Sequence, residues 1–126
     1  MLRNIIQKDL SGLVNYKGVA NNVKETLRSY DVVVDFSLTQ SFGLCYIEAV
    51  LNGKPLLCFS NEGSEYVLSS ISDVIVHNYT ELLDKLLNIH EITRERLIEN
   101  YILISKKFSR EVVVNNFIEF LDGIDR

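Results

Sequence analysis

"DVVVDFSLTQSFGLCYIEAV", residues 31 to 50, sets a β-branched run, a short polar turn and a helix-length apolar segment in immediate succession. "DVVVDF" (31–36) is β-branched and continuous, the pattern of a strand buried on both faces. Leu38 to Gln40 then read as a loop, and Ser41 stands where a side-chain cap would open the next helix. The spacing predicts a helix over 42–52, with Leu44, Ile47, Val50 and Leu51 along its core face. A buried strand running straight into a helix is half of a βαβ unit, so this stretch predicts parallel pairing.

The flanking sequence repeats the alternation. Upstream lie a short amphipathic helix over 2–10 closed by Gly12, a strand "LVNYKG" (13–18), and a helix "NNVKETLRSY" (21–30) opened by an asparagine cap. Downstream lie a strand "KPLLCF" (54–59), a short helix near 64–70 and a strand "SDVIVHN" (72–78). "TELLDKLLNIH", "ITRERLIENYILISKKF" and "REVVVNNFIEFLDGI" follow as three helices. The expected fold is α/β: one domain over 1–126, doubly wound, with a mainly parallel Rossmann-like sheet of about four strands. Helices cover both faces, and the C-terminus is helical.

Composition narrows the function classes. The 126 residues are 47% hydrophobic and 24% charged, which suits a globular chain with its own core. A net charge of −4 without a basic cluster argues against nucleic acid as a partner. No apolar run approaches the ~20 residues of a membrane span, and "MLRNIIQKDL" lacks a signal-peptide pattern, so the sequence reads as cytoplasmic. Cys45 and Cys58 sit in apolar runs as small core residues, and His77 and His90 have no ligand-spaced partners. No metal is expected.

In parallel sheets ligands bind where strand ends lead into helix N-termini. Here that places free N–H groups of Phe42, Gly43 and Leu44 at the positive end of a helix dipole, a ready anion site that Gly43 lets a ligand approach. Glu48, on the same helix, is expected to look toward the mouth of that crevice. Two readings stay open for it: an acceptor for the vicinal hydroxyls of a ribose, or a surface glutamate beside apolar neighbours.

"DFSLTQSFGLCYIEAVLNGKPLLCFSNEGSEYV" resembles the donor-binding segment of retaining glycosyltransferases of the two-Rossmann-domain (GT-B) group. Those enzymes carry a strand ending in Ser, a Glu-x-Phe-Gly turn, and a second Glu-Ala eight positions after the first Glu. A Gly-x-Pro strand and a Gly-x-x-Glu turn follow. Ser37, Phe42, Gly43, Leu44, Glu48, Ala49, Gly53, Pro55, Gly63, Glu65 and Val67 match that pattern. The resemblance extends to "NYKG" before the segment and "FSREVVVNNFIEFL" after it, where the family has a closing helix that braces its N-terminal domain.

The resemblance implies a nucleotide-diphosphate sugar as donor substrate and no separate cofactor. Ser41, Phe42, Gly43 and Leu44 would cradle its sugar and diphosphate, and Glu48 would hold its ribose. Gly18 and Val19 would lie near the nucleobase, while Glu65 orders its own turn. The first acid of the family motif is Gln40 here, the position nearest the reacting sugar. A glutamine can bond a hydroxyl but brings no negative charge to an oxocarbenium-like transition state.

The family's acceptor site lies in an N-terminal domain, and two central strands of its 3-2-1-4-5-6 sheet find no match before "LVNYKG". The expected function is therefore the nucleotide-sugar-binding part of a glycosyltransferase acting on a glycan or lipid-linked acceptor, incomplete and inactive alone. The alternative is an inactive binding or structural module working with a partner chain. Such a family implies polysaccharide biosynthesis, a peripheral place at the inner membrane face as an option, and partner or self-association at exposed strand edges. A phospho-acceptor or flavin-binding domain fits the alternation too, but no acidic cluster, GxGxxG or Walker loop supports it.

Overall fold

The computed structural model describes residues 12–124. Helix α1 (Val23–Arg28) begins at Asn22, whose Oδ1 accepts the Glu25 N–H at 3.2 Å. Strand β1 (Val33–Asp35) leads through an eight-residue loop to α2 (Leu44–Leu51), then β2 (Leu56–Phe59) and α3 (Glu62–Val67). A 3-10 segment (Ser69–Val74) precedes β3 (Ile75–Val76), and α4 (Tyr79–Leu87), a 3-10 turn (Ile89–Glu91), α5 (Arg94–Lys107) and α6 (Arg110–Ile124) complete the chain. Asparagines or threonine cap most of these starts: Asn61, Asn78 and Thr93 each accept a backbone N–H three residues on.

The described strands form one parallel sheet in the order β1-β2-β3. Val33, Val34 and Asp35 face Leu56, Leu57 and Cys58, and Cys58 and Phe59 face Ile75 and Val76. Alternation splits β2 between two apolar clusters. Leu56 and Cys58 pack with Tyr46, Ala49 and Val50 of α2 and with Ile104 of α5. Leu57 and Phe59 pack with Val76 and with Leu82 of α4. All four residues of β2 are buried, as a central strand flanked by apolar side chains on both faces must be.

Two expectations are corrected here. Residues 13–18 form no strand, so the described sheet has three strands and not about four. Leu13 stands 86% and Val14 42% exposed, so this stretch has little apolar burial to hold it as a strand. β1 in turn has one strand neighbour among the described residues. It is only half-buried, where full burial on both faces was expected, because no described strand flanks its outer side. The helix expected over 2–10 lies outside the described residues. No described helix is long and apolar enough to cross a membrane.

Candidate functional site

The turn from β1 into α2 is held by its own polar groups. Asp35, last in β1, accepts the Ser37 N–H on Oδ1 at 2.7 Å and the Cys45 thiol on Oδ2 at 3.5 Å. Burial works against its ionisation, but the hydrogen bonds from Ser37, Cys45 and Tyr46 outweigh it and hold the carboxyl below its ordinary 3.8. Burial together with the nearby Asp35 charge pushes the Cys45 thiol up to about 11 and that of buried Cys58 up to about 12. Both thiols are therefore protonated near neutrality, and neither is a poised nucleophile.

Asn61 ties this turn to the next one. Its Nδ2 donates to the Ser37 carbonyl at 2.9 Å, to the Phe59 carbonyl at 3.1 Å and to the Tyr46 hydroxyl at 3.2 Å. Its Oδ1 accepts the Ser64 N–H, while its own N–H donates to Ser64 Oγ, closing a capping box on α3. Gly63 brings the loops closer still. Its N–H donates to the Gln40 carbonyl at 2.7 Å, and a Cβ there would stand 2.6 Å from that oxygen. Glu65 accepts the Ser60 hydroxyl at 2.6 Å and so orders its own turn.

Between the two loops opens a cleft of about 480 Å³ lined by Leu38, Thr39, Gln40, Ser41, Asn61 and Glu62. It lies at the carboxyl ends of β1 and β2, where the topology led one to look. Gln40 is half-buried on its wall, with Nε2 3.8 Å from Cys45 Sγ. Ser41 is exposed on the rim and does not cap α2. That helix instead begins at Gly43, in the left-handed region at φ 82°, ψ 66°, with no side-chain cap. A Cβ on Gly43 would lie 2.3 Å from the Tyr46 ring, so both backbone and space require glycine. The N–H groups of Phe42, Gly43 and Leu44 find no acceptor among the described residues. They remain at the positive end of α2.

The other expected residues are placed less centrally. Phe42 turns its ring away from the cleft to meet Phe108 edge-on at 5.7 Å and Tyr66 at 6.2 Å. Leu44 is 66% exposed, and Glu48, one turn on, shares that solvent-facing side opposite Tyr46, Ala49 and Val50. Glu48 therefore does not line the cleft between the two loops, where the sequence led us to expect it to look. Gly18, at φ 73°, and Val19, 93% exposed, lie in the irregular segment before α1, not at a strand tip.

The sequence reading passed over Asp35, Asn61 and an aromatic row in which Phe59 meets Phe36 at 6.2 Å and Tyr79 at 5.1 Å. The capping pattern Asn61-x-x-Ser64 was a legible signal for Asn61; nothing local marks the others. Compared with known protein families, with characterised proteins and with solved structures, the chain matches none.

Proposed function

We propose that this chain is the nucleotide-sugar-binding part of a retaining glycosyltransferase, a Rossmann-like, doubly wound domain that works with an acceptor-binding partner domain or chain. The observation that carries the reading is the start of α2. Three unpartnered N–H groups, a left-handed glycine and an open cleft meet at the carboxyl end of β1. The order β1-β2-β3 supports it as well, being that of the fourth to sixth strands of a 3-2-1-4-5-6 sheet.

In this reading the donor's diphosphate sits on the N–H groups of Phe42, Gly43 and Leu44, and no metal is needed to hold it. Glu48, on the exposed side of α2, accepts the ribose hydroxyls, with the base beyond it toward Gly18 and Val19. Ser41 and Gln40 face the transferred sugar from the cleft wall. Binding energy on the diphosphate holds the anomeric carbon still, and the leaving phosphate's growing charge is met by fixed backbone dipoles.

Thermal unfolding against a panel of nucleotides and nucleotide sugars tests this. Donor at 100 times its dissociation constant raises stability by about 2.7 kcal/mol. Glu48→Ala abolishes the gain for sugar nucleotides. No shift with any nucleotide overturns the proposal.

A second reading, an inactive binding module, draws on Gln40. Its wall position offers an amide where the resembling enzymes bring a carboxylate. Donor binding without release of nucleoside diphosphate, in the presence of glycan acceptors and partner chains, separates this reading from the first.

A further inference from the structure

Asp35 ends β1, Gln40 lies in the loop after it and Cys45 sits in the first turn of α2, and the fold joins the three side chains in a row behind the cleft wall. Gln40 Nε2 stands 3.8 Å from Cys45 Sγ, and that sulfur stands 3.5 Å from Asp35 Oδ2. The direction of the row is set at Asp35. Its Oδ1 accepts the Ser37 N–H at 2.7 Å, and its hydrogen bonds keep the carboxyl ionised near neutrality, so Oδ2 can only accept. The one thiol proton of Cys45 is therefore committed to Asp35, and the sulfur has only lone pairs to offer Gln40. Against an acceptor a glutamine turns its NH2 group. That leaves Gln40 Oε1 pointing away from the sulfur, with no hydrogen bond among the described residues.

We propose that Asp35 and Cys45 are positioning residues for Gln40: they turn its carbonyl oxygen into the cleft, so that this wall takes a hydroxyl of the bound molecule and refuses a carboxylate. Glu62 is a second acceptor lining the same cleft, and the hydroxyls of Thr39 and Ser41 serve either role. A polyol ring meets such a wall with its O–H groups. A carboxylate sets lone pairs against lone pairs and gives up its bonds to water without replacement. The row also accounts for an amide at position 40: a glutamate there would turn a second carboxylate toward Asp35 and the sulfur with no proton to share. That the group taken is a sugar hydroxyl rests on the donor-site reading; the direction of the row does not.

The free protein tests that direction. Gln7 and Gln40 are the only glutamines of the sequence, so isotopic labelling of glutamine nitrogen yields two side-chain amide signals, and Gln40→Glu identifies one of them. The Gln40 NH2 protons are expected to show nuclear Overhauser contacts to the Cys45 β protons. Asp35→Asn reverses the row. The new side chain keeps Oδ1 on the Ser37 N–H, its Nδ2 donates to the sulfur, the thiol proton passes to Gln40 and the amide turns over. The contacts then vanish, with an unchanged circular dichroism spectrum.

Titration with nucleoside diphosphates and their hexose conjugates tests the consequence. The hexose adds affinity in the parent and in Cys45→Ser, whose hydroxyl both donates and accepts. Asp35→Asn and Cys45→Ala cut that added affinity by roughly 3- to 10-fold, the worth of one hydrogen bond. Contacts absent from the parent, contacts that survive in Asp35→Asn, or added affinity that Cys45→Ala leaves intact each overturns the proposal. Contacts present as expected, with hexose conjugates bound no better than their diphosphates, uphold the direction of the row and overturn the donor-site reading.

Discussion

Gly43→Ala isolates what the start of α2 requires. The left-handed conformation at φ 82° costs an alanine about 1–2 kcal/mol. The new methyl would also stand 2.3 Å from Cε2 and 2.5 Å from Cδ2 of Tyr46, whose ring is fully buried and cannot swing aside. Forcing a methyl into packed space adds about 1–3 kcal/mol, so the variant should lose about 3 kcal/mol. Gly53→Ala is the internal control. It has a similar φ of 68° with nothing within 4 Å of the added Cβ, so it bears only the backbone cost, about 1 kcal/mol. At a few degrees per kcal/mol for a domain of this size, Gly43→Ala should melt roughly 6–10 °C below Gly53→Ala. The assay is a pair of thermal melts, confirmed by urea titration. Equal melting temperatures would show that Tyr46 does not hold Gly43 in place and would refute the packing argument.

Further outcomes follow from the same network. Asn61→Asp keeps the cap on α3 but loses the donors to Ser37, Phe59 and Tyr46, whereas Asn61→Ala loses both; the second should cost about 1 kcal/mol more in urea unfolding. Gly63→Ala pushes a methyl against the Gln40 carbonyl, and amide spectra should show the 38–42 loop displaced while α5 stays put. The depressed Asp35 pKa means its contribution is complete above the unfolded value and fades as pH falls through the folded one. Asp35→Asn should therefore flatten the loss of stability below about pH 4 seen in acid titration of the parent. The same substitution removes the charge that helps raise the Cys45 pKa, so iodoacetamide should alkylate Cys45 faster in Asp35→Asn than in the parent at pH 8.

The α/β class was legible because it rests on local pattern. β2 and β3 fall inside the expected strands, and the asparagine caps fall where short polar side chains precede apolar periodicity. Residues 13–18 misled because apolar residues make a strand only where a sheet face buries them, and Leu13 and Val14 stay exposed. Ser41 misled for a related reason: a serine before a helix is a cap only if the backbone enters extended, and here Gly43 turns the chain left-handed first. Asn61 was hidden by distance, since its bond to Ser37 spans 24 residues. Glu48 was legible as the lone acid of its helix, but its angular position was misjudged. One turn from Leu44, it falls opposite Tyr46 and Val50, not over the strand tips.

The donor-site reading is tested most directly by amide chemical shifts during titration with a nucleoside diphosphate and with its sugar conjugate. The account predicts that the amides of Phe42, Gly43 and Leu44 move first and saturate together, with Glu48 following for ligands that carry a ribose diol. Saturating shifts confined to other elements, or an unchanged spectrum at millimolar ligand, would contradict it.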